Sequence, residues 1–390
     1  MVAAANCARP PQDDELRYLE MTDTLLGKAS GPLTMWSPPG YALFLAPFRA
    51  VGCGPASLRL LNAFLLVLAV WLFHRLLRNH VSRGLAAAAA AAFALYWPFC
   101  KMLPEIMTET LAVCLMTAVL LAWSELGREG GRTLAWIAVG AVCLAWLCLT
   151  RAVFGYALAV CIAVFALGLL TAHRAYARRM LVTSVLAMAL CLPWLGYTWS
   201  RTGKPFYWTS CSGVTLFWMA TPLNHWGDWH APSEVALTPE LSYHRGLFAR
   251  TAAMPEEKQD EAFRDAAFRF MKNYPGVYLR SLAANAGRLF FNMPYSFTPQ
   301  KLRALFFAVP NAFLIVLLTL ALAALARRRD RWPEAGPAIL FGGTALAGTV
   351  LVSAFARMLL PIVPAMLFVI VVGLQDMRLN RPAAAPESAS

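Results

Sequence analysis

Nine long apolar stretches, separated by short loops that alternate between Arg-rich and Arg-poor, constrain this chain more than any other feature. The stretches cover about 57–77, 84–99, 107–125, 133–150, 153–172, 180–199, 305–326, 335–353 and 358–374. Most of them approach the roughly 20 apolar residues with which an α-helix crosses a bilayer. The sequence therefore predicts an all-α polytopic membrane protein, with about nine transmembrane helices and with amphipathic helices and loops outside the membrane.

The charges of the loops predict how this bundle is oriented. Arginines cluster after the first, third, fifth and seventh stretches and in the tail: Arg75, Arg78, Arg83, Arg128, Arg132, Arg174, Arg178, Arg179, Arg327, Arg328, Arg329, Arg331, Arg378 and Arg381. Each alternate loop carries a single basic residue, which is Lys101, Arg151 or Arg357. Because Arg-rich loops stay in the cytoplasm, we expect the remaining segments outside, namely 1–56, 98–106, 150–153, 200–304 and 354–357.

This orientation divides the chain into five parts. We expect residues 1–56 to form an outside acidic loop and a re-entrant or interfacial helix, and 57–199 to form a first membrane bundle of about six helices. Residues 200–304 are predicted to be a large outside loop with amphipathic helices, 305–374 the last three membrane helices, and 375–390 a disordered cytoplasmic tail.

The outside N-terminus needs an upstream signal or span to cross the membrane. Residues 1–20 contain no charged region followed by an apolar region. We therefore expect the gene to begin further upstream and to encode a first helix before Met1. The alternative is that this N-terminus crosses by an unusual route.

The composition agrees with a membrane protein, since 59% of the residues are hydrophobic and 14% are charged. A net charge of +13 would suggest nucleic acid as the partner of a soluble protein. Here the basic residues lie mostly in loops expected in the cytoplasm, where they contact anionic lipid head groups. We therefore expect membrane lipids, and no nucleic acid, as partners. The nine cysteines show no metal-ligand spacing, and any pairing among Cys7, Cys53 and Cys211 outside stays open.

Three consecutive acids, Asp13, Asp14 and Glu15, begin a helical pattern in the first outside segment. Acids at a helix start are favoured by the helix dipole and can cap free amides, which is the plain structural interpretation. The position of this helix just before a membrane span favours a second interpretation, because a carboxylate there can act as a general base on an acceptor hydroxyl. Tyr18 lies four residues after Asp14, on the same helix face, and could orient it.

The candidate phosphate-binding cations in the segments expected outside are Lys101, Arg151, Arg201, Lys204 and Arg357. Each could simply extend to lipid head groups, as long basic side chains near span ends do. Arg151 and Arg357, however, are the lone cations of otherwise neutral turns, where a charge is costly unless it is paired or at the interface. A planar guanidinium suits a phosphate group, so these cations are candidates for phosphate binding.

Three further outside patterns carry polar or aromatic groups. Glu105 and Glu109 share a helix face, as part of a polar network or as favourable acids at a helix start. The stretch 224–230, Asn-His-Trp-Gly-Asp-Trp-His, could hold a metal but lacks a familiar ligand spacing. Its two Trp residues favour a loop that contacts a sugar, since indole faces suit pyranose rings. Amphipathic patterns over 256–291 predict two helices, lying either in the outer interface or against the outside domain.

Motifs in chain order resemble those of one family. Asp14 with Tyr18, then Leu-Leu-Gly at 25–27 and Pro-Pro-Gly-Tyr at 38–41, resemble the first outside loop of the GT-C glycosyltransferases. The closest similarity is to the bacterial branch related to the protein O-mannosyltransferases and the lipid A aminoarabinose transferase. Further resemblances are Tyr96-Trp97-Pro98 with Glu105, Thr108 and Glu109, then Leu149-Thr150-Arg151, Leu192-Pro193-Trp194 with Gly203-Lys204-Pro205, and Arg357 with Pro361 and Pro364. The sequence departs from the family in two ways. Ala152 stands where the family has Pro, and the family's first helix, which precedes the acidic loop, is not found among these residues.

The resemblance implies a GT-C-like bundle that transfers a sugar, a hexose or a pentose, from a polyprenyl-phosphate donor to a lipid, glycan or protein acceptor. It implies a multi-pass protein of the bacterial inner membrane whose active site faces the periplasm or outside. The candidate residues are Asp14, with Asp13 and Glu15 as alternatives, for catalysis; Arg357, Arg151, Lys101 and Lys204 for the donor phosphate; and Tyr18, Tyr41, Glu109, Trp226 and Trp229 for substrate. We expect no cofactor; a divalent metal is conceivable, but no residue pattern supports it.

Two other functions stay open from the sequence. A transporter or flippase of lipid-linked sugars also needs apolar spans and cations, but more often shows inverted repeats, intramembrane charges and broken midplane helices. Here charges occur at span ends and no repeat is evident. An inactive accessory membrane subunit is the third interpretation, motivated by the expected missing helix.

Overall fold

The computed structural model describes residues 9–128, 132–297 and 304–375. In these parts the chain forms 17 α-helices and three short 3-10 stretches, without a β-strand. In chain order the α-helices are α1 (Asp14–Leu25), α2 (Gly40–Ala50), α3 (Pro55–Leu77), α4 (Arg83–Ala94), α5 (Trp97–Met102), α6 (Thr108–Gly127), α7 (Thr133–Thr150), α8 (Ala152–Gly168), α9 (Arg174–Thr202), α10 (Ser212–Ala220), α11 (Pro232–Leu237), α12 (Arg245–Ala252), α13 (Glu256–Asn273), α14 (Pro275–Phe291), α15 (Leu305–Arg327), α16 (Trp332–Val352) and α17 (Val363–Leu374). The predictions made for Cys7 and for the tail beyond Gln375 fall outside the described residues.

Seven helical segments are long and apolar enough to cross a membrane: α3, α6, α7, α9, α15, α16 and the segment Ala356–Leu374, which ends in α17. Two further apolar helices, α4 and α8, are shorter. The nine predicted stretches therefore all contain apolar helices, and the all-α polytopic membrane fold is confirmed. The count of helices that reach spanning length by themselves is seven in the described parts of the chain.

The stretch 84–99 is not the single helix that its hydropathy suggested. Helix α4 ends at Ala94, and α5 begins at Trp97 with Pro98 in its first turn. A continuous helix would press the Pro98 ring against the carbonyl of Ala94, four residues earlier, so the proline starts a new helix instead. With 12 residues, α4 rises only about 18 Å, well short of the hydrocarbon core.

The last span is also interrupted by proline. Its first part, Ala356–Ile362, is a 3-10 stretch that contains Pro361, and the α-helix proper begins at Val363 with Pro364 in its first turn. Proline has no amide to donate in a helix interior but fits the first turn. This break holds Arg357 on a tight turn at the end of the bundle rather than inside a regular helix.

Helix α6 lies at the centre of the bundle. Of its most apolar window, 78% is buried inside the protein, whereas the corresponding share of α3 is 33%. Its first turn carries two buried polar residues, Thr108 and Glu109. A carboxylate at that depth is costly unless it is paired, so Glu109 requires cationic partners nearby.

Helix α2 packs closely against the end of α7. A Cβ on Gly40 would lie 2.5 Å from the carbonyl carbon of Leu149, closer than any side chain tolerates. The indole nitrogen of Trp146 donates a hydrogen bond to the carbonyl oxygen of Gly40 at 2.8 Å. The close backbone approach predicted for Gly40 is therefore present, and it brings the first outside segment against the α7–α8 turn.

The long segment between α9 and α15 forms a helical unit with a small core of its own. Val214, Phe217 and Trp218 of α10 pack with Phe263 and Ala267 of α13. The two helices predicted over 256–291 are α13 and α14, and the second begins at Pro275. The apolar face of α13 is buried against α10, which favours the alternative in which this helix packs on its own helical unit.

Candidate active site

The carboxylate of Asp14 lies at the first position of α1 and is paired with two arginines. Its Oδ2 accepts a hydrogen bond from Arg357 Nη2 at 2.8 Å, and its Oδ1 lies 3.3 Å from Arg17 Nη1. The Asp14 side chain is 35% exposed, so it is reachable from outside the protein. The geometry leaves this carboxylate anchored by cations yet open to a substrate.

Glu109 joins the two arginines that the sequence singled out. Its Oε1 lies 3.2 Å from Arg151 Nη1 and 3.7 Å from Arg357 Nε, while its side chain is only 2% exposed. Asp14, Glu109, Arg151 and Arg357 thus form one group of alternating charges, called here the charged cluster. The cluster unites the starts of α1 and α6, the α7–α8 turn and the turn before α17, and it brings together Asp14, Arg151 and Arg357, which the sequence named as separate candidates.

Tyr18 and Tyr41 lie beside the charged cluster. Their rings meet edge to face with centroids 5.1 Å apart. Burial, reinforced by the negative charges of Glu109 and Asp14, raises the pKa of Tyr18 to about 12. Tyr18 therefore keeps its proton at neutral pH and can act as a hydrogen-bond donor. Burial likewise raises the pKa of Tyr41 well above its ordinary value.

Glu15 belongs to a different ion-pair group. It is 2% exposed and lies 2.7 Å from Arg9 and 3.2 Å from Arg59, and the amides of Ile106 and Gln12 donate to it at 2.8 and 3.1 Å. Burial opposes ionisation, but these amide hydrogen bonds and the Arg59 guanidinium together lower the pKa of Glu15. Glu15 therefore ties α1 to the starts of α3 and α6.

Asp13 makes no helix cap. It precedes α1 with a positive φ of 44° and its side chain forms no capping hydrogen bond. The Gln12 amide is instead satisfied by Glu15. Of the three acids considered, Asp14 is the one that the structure places in the charged cluster.

The two predicted lysines make contacts outside the charged cluster. The Lys101 ammonium is 4.6 Å from the ring centroid of Phe307. Lys204 pairs with Glu261 of α13 at 2.8 Å, and hydrogen bonds from Lys204 and Lys258 lower the pKa of Glu261 to about 2. Lys204 therefore connects the segment after α9 to α13.

The two tryptophans of 224–230 have different surroundings. Trp229 meets Trp36 edge to face, with centroids 5.9 Å apart, and both line a cavity of about 110 Å³. Trp226 is exposed, and its backbone is held by Ser296 and Arg288. Within the described parts of the chain no group of three His, Cys, Asp or Glu residues is arranged to hold a metal ion.

Sequence reasoning missed Arg9, Arg17, Arg59 and Trp36. Arg17 follows Asp14 by three residues, a spacing that places both on one helix face and could have been recognised. Arg59, fully buried inside the first span, is an intramembrane charge of the kind that demands a partner. Trp36 carried no signal in the sequence, because its role depends on a loop folding over the cavity.

No protein-family model and no curated protein matches the sequence. Solved structures do match. The chain is similar to the oligosaccharyltransferase AglB from Archaeoglobus fulgidus in complex with an inhibitory peptide and a dolichol-phosphate, with a TM-score of 0.52 and 14% identity over 100% of this chain and 52% of that one. It is also similar to the apo form of the A. fulgidus oligosaccharyltransferase, with a TM-score of 0.55 and 11% identity over 96% and 50%. A looser similarity, with a TM-score of 0.43 and 16% identity over 95% and 75%, is to ArnT from Cupriavidus metallidurans bound to undecaprenyl phosphate.

These similarities define the class of fold. The chain spans about half the length of the archaeal enzymes that it matches. It has the fold of the GT-C glycosyltransferases, as its motifs suggested, and it is a multi-pass membrane protein.

Proposed function

We propose that this chain is a membrane glycosyltransferase that moves one sugar from a polyprenyl-phosphate donor to an acceptor hydroxyl, at the outer face of a bacterial inner membrane. The observation that carries the proposal is the charged cluster, in which an accessible carboxylate, Asp14, is held by Arg357 at 2.8 Å. A carboxylate and a guanidinium side by side supply the two groups that such a transfer needs.

Asp14 is the catalytic base of the proposed reaction. Its carboxylate accepts the proton of the acceptor hydroxyl while that oxygen forms a bond to the anomeric carbon of the donor sugar. The bond between the anomeric carbon and the phosphate oxygen breaks, and its electron pair leaves on the polyprenyl phosphate. Asp14 is 35% exposed, which allows an acceptor to reach it.

Arg357 and Arg151 bind the departing phosphate. Fixed cations stabilise charge that develops in the transition state, and a guanidinium donates to two phosphate oxygens at once. In the ligand-free protein their donors face Glu109 and Asp14. The buried Glu109 thereby keeps both guanidinium groups near one point. Phosphate oxygens of the donor would bind these groups beside the Glu109 carboxylate or in its place.

The apolar surroundings of the charged cluster support a lipid-linked donor. Leu66, Val113 and Leu360 line a small apolar cavity of about 10 Å³ together with Glu109 of the cluster. The similar AglB structure contains a dolichol-phosphate. A prenyl chain packed along these apolar residues would set its phosphate at the arginines.

Mass spectrometry of lipids that copurify with the protein tests the proposal. We expect the wild type to carry a polyprenyl phosphate, with or without its sugar, and the double variant Arg151→Gln/Arg357→Gln to lose it. Arg49→Gln is the matched control, because Arg49 pairs with Asp23 at 2.7 Å outside the cluster. A wild type that retains no such lipid in a membrane supplied with it, or equal retention by the double variant, would contradict the proposal.

A further inference from the structure

A second cavity lies between the outside helices and the loop that follows α1. It has a volume of about 110 Å³, several times the roughly 10–15 Å³ that a single water molecule needs. Its walls include Trp36, Trp229, Phe248, Gln259 and Phe263. The cavity therefore has room for a small ligand, and four of its walls are aromatic side chains.

Trp36 forms a wall shared by this cavity and the surroundings of Asp14. The guanidinium carbon of Arg17 lies 4.4 Å from the centroid of the Trp36 ring, and Arg17 is in turn 3.3 Å from Asp14. One arginine side chain thus separates the indole from the carboxylate. A ligand that contacts Trp36 in the cavity is therefore separated from Asp14 by two side chains, Trp36 and Arg17.

The charges of the cavity exclude an anionic ligand. Two carboxylates, Glu256 and Asp260, belong to the lining, and the described lining residues include no cation. Both acids already hold the fold: Glu256 accepts from Thr34 Oγ1 at 2.6 Å and Asp260 accepts from the Gly213 amide at 2.5 Å. Asp260 is also paired with Arg264 at 3.1 Å, so a phosphorylated group would be repelled here mainly by Glu256, whereas a neutral ligand would not be repelled.

The rings identify the class of neutral ligand. Trp36 and Trp229 meet edge to face at 75°, and both indoles line the cavity. The apolar face of a pyranose packs on an indole, and an indole N–H can donate to a hydroxyl. The half-buried Gln259 adds an amide to the walls. Rings with a few polar groups suit a polyhydroxylated ligand.

We propose that this cavity binds a neutral sugar unit of the acceptor, next to the hydroxyl that Asp14 deprotonates. This inference rests on the proposed function and names the acceptor as a glycan or glycolipid. Trp36 then contacts both the acceptor sugar and Arg17, whose guanidinium carbon lies 4.4 Å from the ring centroid and which in turn pairs with Asp14. The acceptor would thus be positioned by the same loop that borders the base.

Binding of simple glycosides to the full chain tests the inference without requiring a donor. The protein is reconstituted in phosphatidylcholine nanodiscs, since a maltoside detergent is itself a glycoside. Saturation-transfer NMR is recorded with methyl α-D-glucopyranoside, methyl α-D-mannopyranoside and methyl β-D-galactopyranoside. We expect ring-proton signals from at least one glycoside, weakened about tenfold in Trp229→Ala, because one stacking surface is lost. Gln259→Ala, which removes an amide rather than a core ring, gives a second weakened variant.

Two controls separate this inference from the proposed function. Trp199→Ala removes an exposed tryptophan of α9 that lies outside the cavity, and binding should stay at the wild-type level. Asp14→Asn should also bind glycoside, even though transfer is expected to stop. Absence of any glycoside signal in the wild type, or an unchanged signal in both Trp229→Ala and Gln259→Ala, overturns the inference. Saturation-transfer signals from the peptide Gly-Thr-Gly, with none from any glycoside, would also overturn the inference and would indicate a protein acceptor instead.

Discussion

Arg357 donates a hydrogen bond to Asp14 at 2.8 Å although 343 positions separate the two residues in the chain. The pair links the first helix to the last, because Asp14 lies at the start of α1 and Arg357 lies on the turn before α17. It also joins the proposed base to the proposed phosphate ligand. The outcome of changing either residue therefore reports on the chemistry and not only on packing.

Arg357→Lys should lower transfer by about a hundredfold or more, as the removal of one fixed donor to a developing charge does. Lysine keeps the positive charge but cannot face Asp14, Glu109 and a phosphate through one planar group. Initial rates in nanodiscs measure the effect. Arg49→Lys is the control and should retain a rate close to that of the wild type. Equal rates for Arg357→Lys and wild type would remove Arg357 from the site.

Glu109→Gln should destabilise the protein by about 3 kcal/mol, because it leaves Arg151 and Arg357 without their shared buried carboxylate. The thermal unfolding midpoint reports this change. Glu20→Gln alters an exposed acid of α1 and should leave the midpoint unchanged. If both variants unfold at the wild-type temperature, Glu109 does not hold the arginines.

Glu15→Gln should produce a pH-dependent loss of stability. The folded-state pKa of Glu15 is lowered below 4.5, so ionised Glu15 stabilises the fold above that pH, and this contribution disappears as the pH falls through the lowered pKa. The difference in Tm between wild type and variant should therefore be largest at neutral pH and shrink on acidification. A difference that grows below pH 4.5 would contradict the assignment.

Gly40→Ala should destabilise the contact between α2 and α7 by about 1–3 kcal/mol, the usual cost of overpacking. The new Cβ would lie 2.5 Å from the backbone of Leu149, which cannot move aside as a side chain could. Gly84→Ala is the matched control, since nothing lies within 4 Å of its position. Thermal unfolding of the two variants in the same nanodiscs compares them; equal midpoints would show that the contact is loose.

The sequence predicted where the candidate site lies better than it predicted which acid pairs with which arginine. Hydropathy and loop arginines place Asp14, Arg151 and Arg357 at one end of the bundle, and the structure brings them together. The sequence could not show which of the two acids belongs to the charged cluster. Asp14 and Glu15 are adjacent on a helix, so their side chains point about 100° apart, and either could face the arginines. Only the packing of α1 decides that Glu15 faces Arg59 while Asp14 faces Arg357.

Two structural features, the break after α4 and the cavity beside Trp36, could not be predicted from a local sequence pattern. The break after α4 follows from Pro98, which apolar periodicity alone did not reveal. The cavity beside Trp36 is built from α10, α12, α13 and a loop more than 170 residues away in sequence, as the hydrogen bond from Thr209 to the Trp36 carbonyl illustrates. Such long-range contacts depend on how helices pack, and a single sequence does not specify them.

The transfer activity of Asp14→Asn tests the central claim most directly. Asn has nearly the same size and also fits a helix start, so the fold should persist while the base is lost. The assay follows sugar transfer from polyprenyl-phosphate donor in nanodiscs, beside Asp23→Asn, which alters an acid of the same helix that is also paired with an arginine. We predict that Asp14→Asn is inactive and that Asp23→Asn turns over like the wild type. Wild-type turnover by Asp14→Asn, or loss of turnover in Glu15→Gln alone, would contradict the account.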